Sequence, residues 1–156
     1  MERIKSFTID HMKLLPGVYV SREDKLFSEN PDENTYLVTT YDIRITRPNF
    51  EPVMSTAEIH TIEHLGATWL RNNEEIRERV VYWGPMGCRT GFYLIMSGAI
   101  PVEEIKGIMK ELFSFISVYE GKIPGATKEE CGNYSDMDLP GAKKRAEKYL
   151  GVLRNS

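Results

Sequence analysis

The chain is poor in the residues that cross-link or ligate. Its 156 residues hold two cysteines, Cys88 and Cys131, and three histidines, His11, His60 and His64. So few cysteines exclude a disulfide scaffold, so each thiol is packing, a metal ligand or a reagent. Long apolar runs are missing too. The stretch from Phe92 to Met96 is far short of the roughly 20 residues that span a bilayer, which excludes a membrane-crossing helix at that place. The opening MERIKSFTID carries charges where a signal peptide needs an apolar core, so a cytoplasmic location is expected. Charge of one sign is lacking as well, the net value being −3 with acids and bases mixed. The one basic cluster, Lys143, Lys144 and Arg145, reads as a solvated helix face, so no nucleic-acid partner is expected. No repeat, low-complexity tract or Gly/Pro/Ser linker divides the chain, and residues 1–156 are expected to form one domain.

What is present alternates irregularly between strand-like and helix-like patterns. Residues 16–34 read as a short strand followed by a polar, turn-rich loop. Tyr36 to Thr46 is β-branched and aromatic, a strand. Ser55-Thr56-Ala57-Glu58 has the capping-box arrangement and opens a helix expected to run to about Asn72. Val80 to Trp83 and Gly91 to Ser97 read as strands joined by a tight GPMGC turn. Pro101 suits the first turn of a second helix, with Val102, Ile105, Ile108, Met109, Leu112, Phe113 and Ile116 at helical spacing. The loop GKIPGATKEECGN carries Cys131, and an amphipathic helix covers about Leu139 to Leu153. The order predicts an α+β fold, a largely antiparallel sheet packed against helices.

Chemistry concentrates in His60-Thr61-Ile62-Glu63-His64. Four residues apart on a helix, His60 and His64 project from one face, as two nitrogen ligands of one divalent ion must. Ile59, Ile62, Gly66 and Leu70 form the expected buried stripe with Trp69 at its edge. Glu63 falls between that stripe and the histidines, a position suited to a proton acceptor. A catalytic metal normally has three protein ligands, and the candidates for the third are His11, Cys88, Cys131 and the carboxylates. Cys131, in a loop able to fold back, would complete a His₂Cys site. Cys88 lies among Gly84, Pro85, Gly87 and Gly91, an open backbone around one thiol, and Arg89 beside it would lower its pKa. H-x-x-E-H is also the inverted-zincin signature, although such peptidases take a carboxylate or histidine as third ligand and have no use for Cys88. A closed structural site using both thiols is the other alternative.

Taken together, SFTIDH, YDIRITRPN, HTIEH, GPMGCRTGFYL, IPGATKEECGN and DLPGAKKR resemble the S-ribosylhomocysteine lyase (LuxS) family, in order from Ser6 to about Arg145. The resemblance implies a cytoplasmic homodimer with active sites at the interface. Each site would hold one divalent metal on His60, His64 and Cys131, iron(II) in the native state and zinc or cobalt in preparations, with no organic cofactor. It implies Glu63 and Cys88 as the acid/base pair. Ser6, His11 and Arg44 would lie near the ribose, Ser6 and His11 coming from the partner subunit, and Arg71 near the homocysteine end. The implied reaction cleaves S-ribosylhomocysteine to homocysteine and 4,5-dihydroxy-2,3-pentanedione, the precursor of the quorum-sensing autoinducer-2, within the activated methyl cycle. Breaking such a C–S bond needs a carbonyl beta to sulfur, hence proton transfers that walk the sugar carbonyl along its chain before elimination. Tyr82-Trp83-Gly84 departs from the acidic-Ile-Ser stretch of many members and puts the homocysteine-amino contacts in question.

Overall fold

The computed structural model describes residues 9–26 and 36–155. Four strands form one antiparallel sheet in the order β1-β2-β4-β3, where β1 is Gly17–Leu26, β2 Tyr36–Arg44, β3 Val80–Pro85 and β4 Gly91–Ser97. Three helices, α1 (Thr56–Asn72), α2 (Val102–Val118) and α3 (Leu139–Arg154), share one core with it. The α+β reading with an antiparallel sheet is borne out.

Alternation along the strands sorts residues between two faces. In the β2–β4 register Tyr41 opposes Leu94 and Ile43 opposes Phe92, and these four side chains are buried with Met96 in the core. Asp42 and Arg44, two residues apart, fall on the opposite face and are nevertheless buried. Tyr149 of α3 reaches past the core to donate its hydroxyl to the Gly17 carbonyl (2.8 Å).

Two expectations are corrected. The segment after Pro16 continues as a strand to Leu26 rather than turning to loop early. It pairs with β2 as an edge strand, where outward polar residues such as Arg22 and Asp24, joined in an ion pair of 2.7 Å, cost no burial. The second strand ends at Arg44, because Ile45 and Thr46 both turn their amides onto the Thr90 carbonyl (3.0 Å each). Pro85 closes β3 at the sheet edge, where its missing N–H leaves no ladder bond unmade.

The capping box is present as expected. Glu58 N–H donates to Ser55 Oγ (3.1 Å) and Ser55 N–H donates to Glu58 Oε2 (2.6 Å). Arg145 of α3 adds an ion pair to Glu58 (3.0 Å), so this member of the basic cluster is a tie between helices rather than a solvated charge. The buried face of α1 is wider than the stripe read from the sequence, since Thr61 and Leu65 join Ile59, Ile62, Gly66 and Leu70. The cause for Thr61 is the segment leading into α3. Thr61 Oγ1 donates to the Ala57 carbonyl (2.8 Å) and accepts from Asp138 N–H (2.8 Å), pinning the start of α3 to the middle of α1. No helix among the described residues is long and apolar enough to cross a membrane.

Candidate active site

Helical spacing puts the rings of His60 and His64 4.6 Å apart, nearly perpendicular at 84°. Main-chain carbonyls hold both rings at Nδ1. His60 Nδ1 lies 3.1 Å from the Asp136 carbonyl and His64 Nδ1 lies 2.8 Å from the Pro124 carbonyl. A carbonyl can only accept, so both Nδ1 atoms carry a proton, which leaves Nε2 as the atom of each neutral ring that can bind a metal. The segment that supplies these carbonyls, residues 119–138, also brings Cys131, whose Sγ stands 3.4 Å from His60 Nε2. Cys131 N–H is anchored on the Thr127 carbonyl (3.0 Å) and Asn133 N–H donates to the Cys131 sulfur (3.4 Å).

The ligand atoms of His60, His64 and Cys131 all lie within 4.8 Å of one another. Ligands at about 2.0–2.3 Å from one ion stand on the order of 3.5 Å apart, so a small contraction completes such a site. Two imidazoles with fixed tautomers and one thiol suit a divalent transition metal, and three protein ligands leave a coordination position for another oxygen. The residues present fit the ion. Glu63, half-buried on the same helix, has no hydrogen-bond or ion-pair partner for its carboxylate among the described residues, as a free proton carrier requires.

The second thiol sits in the turn between β3 and β4, set by Met86 N–H to the Gly91 carbonyl (2.9 Å) and Arg89 N–H to the Met86 carbonyl (2.9 Å). The turn proper spans residues 86–90, since Gly84 and Pro85 still belong to β3. Met54 N–H reaches the Arg89 carbonyl (3.1 Å), which ties this turn to the segment entering α1. Arg89 adopts φ +58° and faces solvent. The charge beside Cys88 is that of Arg44 instead, which corrects the expectation for Arg89. Arg44 Nη1 donates to Cys88 Sγ (3.7 Å) and to Thr90 Oγ1 (2.5 Å), and Thr90 Oγ1 is 3.0 Å from the sulfur. Burial pushes the Cys88 thiol up, but hydrogen bonds from Thr90 and the charge and hydrogen bond of Arg44 outweigh it, leaving the pKa below the ordinary thiol value. An exposed thiol with that environment is a reactive one.

The model of the S-ribosylhomocysteinase (LuxS) family matches residues 4–155. The chain belongs to that family. A protein of Finegoldia magna named S-ribosylhomocysteine lyase is 57% identical over 155 residues, covering 99% of this chain and 94% of its own. Proteins of the same name from Clostridium beijerinckii (55% identical, 98% and 92% covered) and Phocaeicola vulgatus (50% identical, 96% and 89% covered) are similarly close. Family membership bears out the expectation of a carbon–sulfur lyase.

The remaining candidates are spread around these two clusters. Ser6 lies outside the described residues. His11, half-buried in a turn, places Nδ1 2.9 Å from the Ile9 carbonyl. Arg71, in the last turn of α1, donates to the carbonyls of Val80 (3.5 Å) and Val81 (3.3 Å) on β3. Beside it lies the Tyr82-Trp83-Gly84 stretch, whose Trp83 indole N–H is buried without a hydrogen-bond partner among the described residues. Trp83 is buried and stacked on Phe92 at 4.7 Å, and Gly84 lies beneath the Tyr82 phenol.

Sequence reasoning missed Asp42 and Thr90. Asp42 grips Arg44 through Nε (3.1 Å) and Nη2 (2.5 Å). Burial raises the Asp42 carboxyl above its ordinary value, against the opposing pull of Arg44 and, more weakly, His11. A signal was available. In a strand whose odd positions are core, charges at 42 and 44 share the other face and are placed to pair. The carbonyls of Pro124 and Asp136 had no such signal, since any residue supplies one.

Proposed function

We propose that this chain cleaves the thioether of S-ribosylhomocysteine, releasing homocysteine and 4,5-dihydroxy-2,3-pentanedione, with one divalent metal held by His60, His64 and Cys131. The observation that carries this reading is the convergence of two imidazoles and one sulfur in a chain of this family that also holds a second, activated thiol. When bound, the ion supplies Lewis acidity toward the oxygens of the sugar.

The chain's own groups then move protons. The open-chain sugar carries its carbonyl at C1 and its sulfur at C5, too far apart for elimination. Two successive shifts, each removing a proton from one carbon and delivering one to its neighbour, bring the carbonyl to C3. Loss of the C4 proton then expels the C5 thiolate, which leaves as homocysteine once protonated, and the enol left at C4 takes a proton at C5 to become the diketone. Cys88, whose thiol pKa is lowered, and Glu63, whose carboxylate has no partner among the described residues, are the two groups we assign to these transfers. Thr90 and then Arg44 favour the charged form of the Cys88 sulfur. Arg71 is assigned to the homocysteine end, and Ser6 and His11 to the ribose of the partner's site in a homodimer. We read iron(II) as the native ion, with zinc or cobalt able to replace it, and no organic cofactor as required. The setting is the cytoplasm and the activated methyl cycle, and the product serves as precursor of autoinducer-2.

The test is direct. Purified protein incubated with S-ribosylhomocysteine should release free thiol, titratable with a disulfide reagent, and Cys88→Ala should abolish that release while keeping the metal. Absence of thiol release from metal-loaded wild-type protein would sink the reading.

A further inference from the structure

We propose that Thr90 is a positioning residue for Cys88, the link that turns the buried Asp42–Arg44 pair into a hydrogen-bond donor aimed at the sulfur. The inference rests on reading Cys88 as a proton-transfer group and adds the residue that commits it to that role.

The argument is one of counting donors and acceptors. Asp42 takes Nε–H and one Nη2–H of the guanidinium, and Nη1 is the nitrogen that faces the site. That nitrogen points at Thr90 Oγ1 (2.5 Å) and more distantly at Cys88 Sγ (3.7 Å). A guanidinium cannot accept, so the Thr90 oxygen accepts from it. Thr90 is only 3% exposed, and its hydroxyl proton has one remaining partner among the described residues, the sulfur 3.0 Å away. Turned anywhere else, that proton would be buried and unpaired. Cys88 Sγ is therefore an acceptor, a role that a thiolate fills more strongly than a thiol.

Asp42 and Arg44 are 3% and 2% exposed, so the pair cannot be diluted by water as a surface ion pair is. The other titratable groups around the thiol are Tyr93 of β4, whose phenol is raised by burial first and then by Asp42, and the solvent-facing Arg89. Neither supplies a donor to the sulfur. The lowered Cys88 pKa agrees with this arrangement, Thr90 being the foremost of the causes that lower it. The backbone of Thr90 is held separately, since its carbonyl accepts from Ile45 and Thr46 N–H. Removing the hydroxyl therefore takes away one donor, while the Thr90 amide and Arg44 still face the sulfur and the turn stays in place.

The experiment compares Thr90→Val, which keeps the shape without the hydroxyl, with Thr90→Ser, which keeps the hydroxyl. Thr90→Ala is read in the same way as Val, should the valine fail to fold. In metal-loaded protein, the rate of iodoacetamide labelling at the Cys88 peptide is followed against pH by mass spectrometry, which separates it from Cys131. The midpoint should rise by about one pH unit in the Val and Ala variants, a roughly tenfold loss of thiolate below the midpoint, and return to the wild-type value in Ser. The acid limb of kcat should move by the same amount. Folded Val or Ala protein with an unmoved midpoint overturns the role of Thr90, even if the lyase reaction is confirmed. A wild-type protein without lyase activity sinks the proposed reaction and leaves the labelling result standing on its own.

Discussion

The histidine cluster and the Cys88 turn are held by different parts of the polypeptide. The histidines of α1 are aimed by main-chain carbonyls, those of Asp136 and Pro124, whereas Cys88 is held by side chains, Thr90 and Arg44 with Asp42 behind them. The difference teaches where each is vulnerable. A carbonyl survives most substitutions at its own residue and fails only when the path of the chain changes. A side-chain donor is lost with a single atom.

Removing a ligand gives the largest effect and sets the scale for both. His60→Ala, His64→Ala and Cys131→Ala should each lose the metal, measured by elemental analysis of dialysed protein, and all thiol-releasing activity with it. Stoichiometric metal in all three would contradict the ligand set. Next, Cys88→Ala and Glu63→Ala should keep full metal while turnover drops, by about 10²–10⁴ for each proton-transfer role lost. A variant retaining near-normal turnover would remove that residue from the mechanism.

A path change in the main-chain support should act more gently. Gly125, at φ +71°, packs its α-carbon against His64, and an added methyl would sit 3.1 Å from Nδ1. Gly125→Ala should therefore weaken metal affinity by about tenfold in a chelator competition, as outer-shell changes do, without moving the Cys88 labelling midpoint. Pro124→Ala, which leaves the carbonyl in place, should change affinity far less. Equal losses in the two would break the contrast between carbonyl and side-chain support.

The smallest effect belongs to Glu58, which supports the start of α1. Burial alone would raise its carboxyl, but hydrogen bonds from Arg145 and the Ser55 amide, with the Arg145 charge, hold it below its ordinary value. A depressed carboxyl adds stability above its unfolded pKa and loses it as pH falls through the folded one. Glu58→Gln should thus cost about 1 kcal/mol at neutral pH in a denaturant titration, the gap closing below about pH 4.

How much of this was legible in the sequence follows the same division. The capping box, the i,i+4 histidines and the apolar spacing of α2 are local patterns, and each appears where expected. Cys131 joins His60 across 71 residues, a closure that no local pattern reports and that the family resemblance supplied. The full length of β1 was hidden because an edge strand with one face in water need not be apolar. Thr61 was not in the stripe read from the sequence because its burial is imposed by another element. The charge on Cys88 was assigned to Arg89 because adjacency along the chain is visible in a sequence, whereas the approach of a neighbouring strand is not.

Trp83 and Gly66 bear on how such a site diversifies. A methyl on Gly66 would fall 2.5 Å from the indole nitrogen, so the large ring on β3 occupies room that α1 leaves by having no side chain there. The two positions act as complementary shapes, and the helix bearing both histidines takes its seat on the strand that leads to Cys88 through that fit. Drift at either position is therefore constrained to occur in tandem. Trp83→Ile alone should open a void and a larger residue at 66 alone should clash, while the double exchange restores the volume, a sign epistasis written into one contact.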